Sequence, residues 1–507
     1  EGPPPGPFDW RVHLSNLRVR LAMRVTDAVP GDAGAVAAAL ITGYRSLIPE
    51  AVLNAFRDAG LAHLLAISGL HIGLAAGIVF FGARRVLSLY PPFAQRFPVK
   101  KAAALLALLA AFGYALMAGA TVPTQRAFLI AAMVLIAVMV DRRGISLRML
   151  AWGATVVLLI QPESLLGPSF QMSFAAAIAL VAAYEAATER GIWRRDGDRS
   201  RWAGRGIALY VAGVSFTTLV ASLATAPFVL YHFNQVAKFG LLANLVAVPI
   251  TALWVMPAAM LSFLLLPFGW EKLALIPMGW GTEQVIRVAD WVAGLPEATE
   301  ILPSAPAWAL TGLALGGLWL CVLRGRLRLA GLAGVALFAA ANARVVPPDL
   351  IVSAAGDLAA VRGQEGYLFS SLRHGRFTRE NWLEHAGYRA EEAVQWARDG
   401  GYGRLQRDGL RCDGVGCVLT RAGWRVVLAE TRGALAEDCG RADLVIALIP
   451  AGRACDGTGG TGVRVIDLFD LKAKGAHSIT LGPAIEVQAV NDGRGRRPWV
   501  VRQVRKR

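Results

Sequence analysis

The chain has 507 residues, 55% hydrophobic and 17% charged, with 52 lysines and arginines against 36 acids for a formal net charge of +16. That composition, with a mean hydropathy of +0.47, excludes an ordinary soluble domain; most of the protein must sit in lipid. The net charge alone says little about partners, because basic loops between membrane segments supply much of it.

The chain opens E-G-P-P-P-G-P-F-D-W-R, without an initiator methionine or a signal-peptide pattern, and reads as a linker inside a longer protein. Residues 1–60 are read as an extracytoplasmic or interfacial linker and amphipathic segment, 61–345 as a polytopic membrane domain, and 346–507 as an extracytoplasmic α+β domain with a basic tail.

Next, L-A-H-L-L-A-I-S-G-L-H-I-G-L begins a membrane-length run holding His63, Ser68 and His71. Ionisable groups at bilayer depth are costly and usually face a protein interior or a water-filled path. As one helix at about 100° per residue, the run would gather His63, Ser68 and His71 within an arc of roughly 140°. Gly69, Gly73 and Gly77 then fall on another face at the small-xxx-small spacing that lets a neighbouring helix approach.

Ten candidate spans are expected, at 61–82, 102–118, 123–140, 146–160, 169–187, 206–231, 239–266, 274–294, 306–323 and 329–345. Several fall short of the ~20 residues of a full crossing, which leaves room for re-entrant or paired segments. The loops alternate in charge. Arg84, Arg85, Arg96, Lys100 and Lys101 follow the first span, Arg142, Arg143 and Arg148 the third, six arginines from Arg190 to Arg205 the fifth, and Arg324, Arg326 and Arg328 the ninth. The positive-inside rule makes those loops cytoplasmic and both chain ends extracytoplasmic. Glu283, Arg287 and Asp290 interrupt 274–294; if that segment lies in the interface, the parity of the end flips.

Further polar inlays punctuate the spans. The third begins G-A-T-V-P-T-Q-R-A-F, with Pro123 suited to a helix start and Gln125 and Arg126 following. Arg126 either snorkels to an interface or faces a pore. The fifth begins P-S-F-Q-M-S-F, where Gln171 and Ser173 suit interhelical hydrogen bonds as well as substrate contact. Pro227 falls in the sixth, His232 and Asn234 in the loop that follows it, and Asn244 and Pro249 in the seventh; the prolines suggest kinked or broken helices.

A-L-I-T-G-Y-R-S at 39–46, A-H-L-L-A-I-S-G-L-H-I-G at 62–73, V-P-T-Q-R-A-F at 122–128, P-S-F-Q-M-S-F at 168–174 and A-N-L-V-A-V-P at 243–249 occur in that order. Their series resembles the ComEC family, over about residues 30–345. The resemblance implies an inner-membrane channel of bacteria that carries one DNA strand inward during natural transformation. It marks His63, Ser68, Gly69, His71, Gln125, Arg126, Gln171 and Ser173 as recurrent polar positions; Asn244 is added as a candidate for the DNA path. Family members commonly begin with additional membrane segments and an OB-like domain; this sequence starts after them, and such an upstream OB-like domain of the same protein is expected as a partner. Many end in a metallo-β-lactamase-like domain with a His-x-His-x-Asp-His motif, which is absent here: His374, His385 and His477 have no partner at metal-ligand spacing.

In 346–507, segments 349–353, 366–370, 424–429 and 443–450 read as strands and 379–398 as a helix. The fold class expected for the whole chain is mainly α, a polytopic helical membrane domain followed by a small α+β domain resembling a degenerate lactamase-like fold. Neither cofactor nor metal nor metal-dependent hydrolysis is expected. Cys412, Cys417, Cys439 and Cys455 form an even set in a region assigned to an oxidising compartment. Four cysteines allow three pairings; 412 with 417 and 439 with 455 close the shortest loops. Zinc is the rival reading, to which C-x4-C is a poor match. The tail carries Arg494, Arg496, Arg497, Arg502, Arg505, Lys506 and Arg507 around Trp499. It suits phosphate binding with base stacking, or a solvated tail, or anionic lipid head groups.

Three functions compete. A channel for single-stranded DNA needs a polar path and, without a G-x-x-x-x-G-K-[ST] loop, an external motor or DNA-receptor protein. A permease for a smaller anion or lipid-linked substrate would be favoured by self-similar halves, which the sequence does not show. An intramembrane hydrolase using Ser68 and His71 lacks an orienting carboxylate and a G-x-S-x-G context.

Overall fold

The computed structural model describes residues 10–142, 146–190, 203–364, 366–396, 409–452, 454–455 and 463–494. The chain divides into two compact units, Glu1–Glu300 with Pro306–Ala341, and Ile301–Ala305 with Asn342–Arg507.

The first unit is helical. Among the described residues, five helices are long and apolar enough to cross a membrane: Gly69–Ser88, Val99–Met117, Pro168–Glu189, Ala212–Phe233 and Gly240–Phe268. Gly31–Thr42, Pro123–Met139, Leu147–Ile160 and Ala307–Val322 are apolar but shorter. Leu159, Leu223 and Leu264 stand on the surface of these helices, as side chains facing hydrocarbon do.

Residues 1–60 are not only a linker and amphipathic segment. Gly31–Thr42 is buried from Gly34 to Thr42, and its alanines and Val36, Leu40 and Ile41 join a core with Phe56, Leu61, Leu64 and Met278. Twelve residues are too few to span a bilayer, so a scan for ~20-residue runs passes over them; protein rather than lipid covers this helix. Lys272–Ala293 packs there too, through Leu275, Met278, Val285 and Ala289, while Glu283 and Arg287 pair at 2.6 Å on its exposed side.

Pro227 lies inside a helix that continues through it, Ala203–Phe233. Pro249 lies one residue before the end of Gly240–Ile250, and the next turn, Thr251–Val255, is π-helical before the α-helix resumes at Met256. A proline removes one amide donor and crowds the preceding turn, and the wider turn is the local response. Thr251 Oγ1 donates to the Ala247 carbonyl at 2.8 Å.

Close glycine packing occurs in the last helical hairpin. Ala307–Val322 meets Arg326–Gly331 and Leu332–Ala343, where a Cβ on Gly316 would lie 2.6 Å from the Gly331 carbonyl oxygen and 3.0 Å from the Gly334 Cα. Only hydrogen fits between those backbones.

The second unit contains two sheets. One runs in the order Arg464–Ile466, Leu444–Ala447, Trp424–Ala429, Gly416–Arg421, Leu410–Cys412, and the other Ile485–Ala489, His477–Leu481, Leu350–Val352, Ala359–Arg362, Tyr367–Phe369, Val394–Gln395. Leu350, Val352 and Val361 of one share a core with Leu419, Val426, Leu428 and Leu444 of the other. Val427 and Val445 turn to the opposite face, against Leu435 of the helix Arg432–Asp438; Tyr367 and Phe369 turn to Leu383 of the helix Arg376–Ala386. The layers are therefore helix, sheet, sheet, helix, and the period-two alternation of the strands supplies both faces. The helix read over 379–398 stops at Ala386 because Gly387 takes φ 88°. Residues Val394–Gln395 instead pair in parallel with Tyr367–Phe369, and the Trp396 amide donates to the Phe369 carbonyl at 2.9 Å.

Candidate functional site

The run at 61–82 is not one helix. Ala62–Leu65 forms a single turn, Ala66 is extended, and Ser68 at φ −110° and ψ 178° caps a new helix, Gly69–Ser88. The Ser68 amide donates to His71 Nδ1 at 3.2 Å and the Ser68 hydroxyl lies 3.1 Å from the same nitrogen, a capping box in which histidine fills the usual Glu or Gln place. Serine satisfies orphan amides at a helix start better than it tolerates a helix interior, and so the chain breaks there. The shared arc of His63, Ser68 and His71 is thereby lost: His63 is exposed, Ser68 half-buried and His71 fully buried.

With Nδ1 accepting from an amide, a neutral His71 carries its proton on Nε2. That nitrogen is buried without a hydrogen-bond partner among the described residues, and so is Nε of Arg126. Arg126 is 4% exposed, so it does not snorkel out of the protein. Its helix, Val122–Met139, begins at the cap residue Thr121, whose hydroxyl lies 2.8 Å from that of the buried Thr124. Both orphaned groups are donors, and each costs free energy until an acceptor arrives.

Gln125, Gln171 and Asn244 find partners. Gln125 Nε2 donates to the Ala120 carbonyl at 2.7 Å, and its Oε1 lies 3.4 Å from Gln161 Nε2. Gln171 Nε2 donates to the Leu165 carbonyl at 3.0 Å, while its Oε1 meets His232 Nε2 at 2.8 Å, joining Pro168–Glu189 to Ala203–Phe233. Ser173 is half-buried. Asn244 is buried and donates to the Gly240 carbonyl of its own helix at 2.7 Å. Gly69, Gly73 and Gly77 do not receive a neighbouring helix: a Cβ on any of them would meet nothing within 4 Å. Gly69–Ser88 packs instead through Ile72, Ala75 and Ala76 against Ala104, Ala107 and Ala111 of Val99–Met117, because alanine admits close approach without glycine's cost in helix stability.

A clamp at one end of the unit had no signal in the sequence. Arg18, in the helix Trp10–Ala28, donates from Nε to the Thr42 and Met117 carbonyls at 3.0 Å each and from Nη2 to Thr42 at 2.9 Å. Two helix C-termini thus share one guanidinium. The Tyr114 hydroxyl donates to the Leu40 carbonyl at 2.7 Å. Gly43 in A-L-I-T-G-Y-R-S takes φ 72° and lies against the Ala118 backbone, which gives that motif a structural reason.

In the second unit Cys412 is bonded to Cys417 and Cys439 to Cys455. Cys412 and Cys417 sit opposite each other in the hairpin of Leu410–Cys412 and Gly416–Arg421. Among the described residues no group of three His, Cys, Asp or Glu side chains could hold a metal. Arg494 ends the described chain; Arg496, Arg497, Trp499, Arg502, Arg505, Lys506 and Arg507 lie outside the described residues.

Residues 40–327, more than half of the chain, match the family model described as Competence protein. Similar curated proteins include ComE operon protein 3 of Bacillus subtilis (strain 168), 26% identical over 294 residues, 56% of this chain and 34% of that one. Competence protein ComA of Neisseria gonorrhoeae is 33% identical over 223 residues, 42% of this chain and 31% of that one. Recombination protein 2 of Haemophilus influenzae is 29% identical over 250 residues, 48% of this chain and 30% of that one. The chain spans about a third of the length of these relatives. No solved structure matches.

Proposed function

The chain belongs to the competence protein family of membrane proteins, and on that premise we propose that it forms the inner-membrane channel through which single-stranded DNA reaches the bacterial cytoplasm during natural transformation. The observation that carries the reading is the family match over helices bearing His71 and Arg126, two buried donors without acceptors among the described residues. A DNA strand brings phosphate oxygens, which are acceptors, and conduction requires such contacts to be few and weak enough to release.

We assign the basic loops to the cytoplasm and the second unit to the outside, with all ten apolar segments contributing to the membrane block. The two disulfides support that side, since such bonds persist in oxidising compartments. The helix, sheet, sheet, helix layering supports a degenerate lactamase-like domain, to which we assign no hydrolysis. The work of pulling the strand falls to a separate motor, and delivery of the strand to a DNA receptor.

The test follows labelled double-stranded DNA in cells lacking the full gene. DNA that reaches a nuclease-protected state and never arrives in the cytoplasm supports the channel. Normal cytoplasmic arrival refutes it and brings the permease forward.

A further inference from the structure

The second unit holds a cavity of about 740 Å³ whose lining includes Arg362, Gln364, Tyr388, Thr420 and Arg421. Its described lining contains two cations and no carboxylate. Asp349, with its side chain 2% exposed, lies behind the arginines: its Oδ1 accepts from Arg362 Nη2 at 2.6 Å and from Arg421 Nη1 at 2.9 Å, and its Oδ2 accepts from the Leu481 amide at 2.7 Å. Arg421 Nη2 also donates to the Arg362 carbonyl. The two guanidiniums are locked from the buried side and remain 25% and 23% exposed. A carboxylate that fixes two arginine forks from behind prepays the ordering that anion binding would otherwise require.

Tyr388 adds a flat surface. It follows Gly387 at the end of Arg376–Ala386, and its ring stands edge-on to the buried Tyr367 at 6.0 Å and 87°, while the Tyr367 hydroxyl is tied to the Pro348 carbonyl at 2.6 Å. The ring is half-buried and braced. The exposed Gln364 and Thr420 add an amide and a hydroxyl at the rim. A fixed cationic pair for phosphate, an aromatic face and neutral polar groups together match one nucleotide better than a bare anion, and the wide mouth of the pocket suits a unit of a longer strand.

We propose that this cavity seats a nucleoside phosphate unit of single-stranded DNA, with the phosphate on Arg362 and Arg421 and the base against Tyr388. The choice of a DNA strand over another source of nucleotide rests on the uptake reading above. The seat is a binding site and makes no bond change.

The test uses the full chain in nanodiscs and a labelled oligothymidylate carrying 5-iododeoxyuridine. Photocrosslinking should map to Tyr388 or its cavity neighbours, a readout independent of any strand bound in the membrane unit. Gln364→Glu with Thr420→Glu, which adds charge at the exposed rim and leaves the Asp349 cluster intact, should weaken binding about tenfold and abolish that crosslink. Tyr388→Ala should weaken it by roughly five- to a hundredfold, with Tyr388→Phe restoring it. Crosslinks elsewhere, with affinity unchanged in both the rim and Tyr388→Ala variants, would overturn the site. Displacement by thymidine monophosphate as readily as by oligonucleotide would overturn the strand as its occupant, and displacement by inorganic phosphate alone would overturn the base contact. Because the crosslink is scored in vitro and channel activity by cytoplasmic arrival in cells, either idea can fail without the other.

Discussion

The Arg18 guanidinium donates twice to the Thr42 carbonyl, at 3.0 Å from Nε and 2.9 Å from Nη2, and so closes the C-terminus of a helix that lies buried in the first unit. The last carbonyls of a helix lack intrahelical donors, and here water is a poor substitute because Thr42 is 0% exposed. Arg18→Ala should cost about 1–3 kcal/mol by orphaning the Thr42 and Met117 carbonyls. Arg18→Lys, a point donor without the fork, should recover part of it. Thermal unfolding in detergent reads this directly; a fully stable Arg18→Ala protein would remove the clamp.

Glycines that look alike in sequence should respond in opposite ways. Gly334→Ala would put a Cβ 3.0 Å from the Gly316 Cα and should destabilise by about 1–3 kcal/mol. Gly73→Ala meets nothing within 4 Å and should be neutral or stabilising by up to about 1 kcal/mol. The reverse order in thermal unfolding would restore helix packing to the Gly73 face.

If His71 borders the path, a cysteine there should react with a small water-soluble thiol reagent although its place is buried, while a cysteine at Leu65 stays protected. The experiment uses a Cys321→Ala background, since Cys321 is a free thiol. Equal protection at both positions would take His71 off the path.

Acid should weaken the second unit in two steps. His477 is buried, and desolvation holds its folded pKa below the ordinary value although its contact with the Gly475 carbonyl pulls the other way. The unfolded chain therefore takes up that proton first, and stability begins to fall as pH drops below about 6.5 toward the folded value. For Asp349, burial pushes the carboxyl up, but the Leu481 amide and the guanidiniums of Arg421 and Arg362 outweigh it and hold the folded pKa low. Its contribution is intact above about pH 4 and drains as pH falls through the folded value. Hydrogen exchange of the strands at 350–352 and 477–481 across this range should show both steps. His477→Gln should flatten the upper one and Asp349→Asn the lower; protection that rises between pH 7 and 5 would contradict the first.

Peptide mapping without reductant should find Cys412 linked to Cys417 and Cys439 to Cys455. Opening the second, whose partners are 16 residues apart, should cost about 3 kcal/mol. Four free thiols in exported protein would withdraw the support for an extracytoplasmic second unit.

Much of the helical unit was legible in the sequence because hydropathy is local. The runs at 102–118, 123–140 and 169–187 correspond to Val99–Met117, Val122–Met139 and Pro168–Glu189, and the motifs that mark the family needed only their own residues. The buried helix Gly31–Thr42 escaped because burial by protein leaves no length signature. The strand at 394–395 escaped because Trp382, Ala393 and Trp396 imitate a helical period while Trp396 belongs to the core between the sheets.

The sequence by itself determined the partition into lipid, the polar residues placed within it, the family and the even cysteine set, since each is a property of residue types summed or ordered along the chain. Tertiary structure decided which polar atoms were left without partners, that Ser68 and His71 close a cap at a helix break, that Gly316 and Gly334 rather than Gly69, Gly73 and Gly77 admit a neighbour, and that Asp349 sets two distant arginines beside Tyr388. Those outcomes depend on which surfaces meet. A glycine or a buried donor acquires its role only from the backbone or acceptor opposite it, and that partner can lie a hundred residues away.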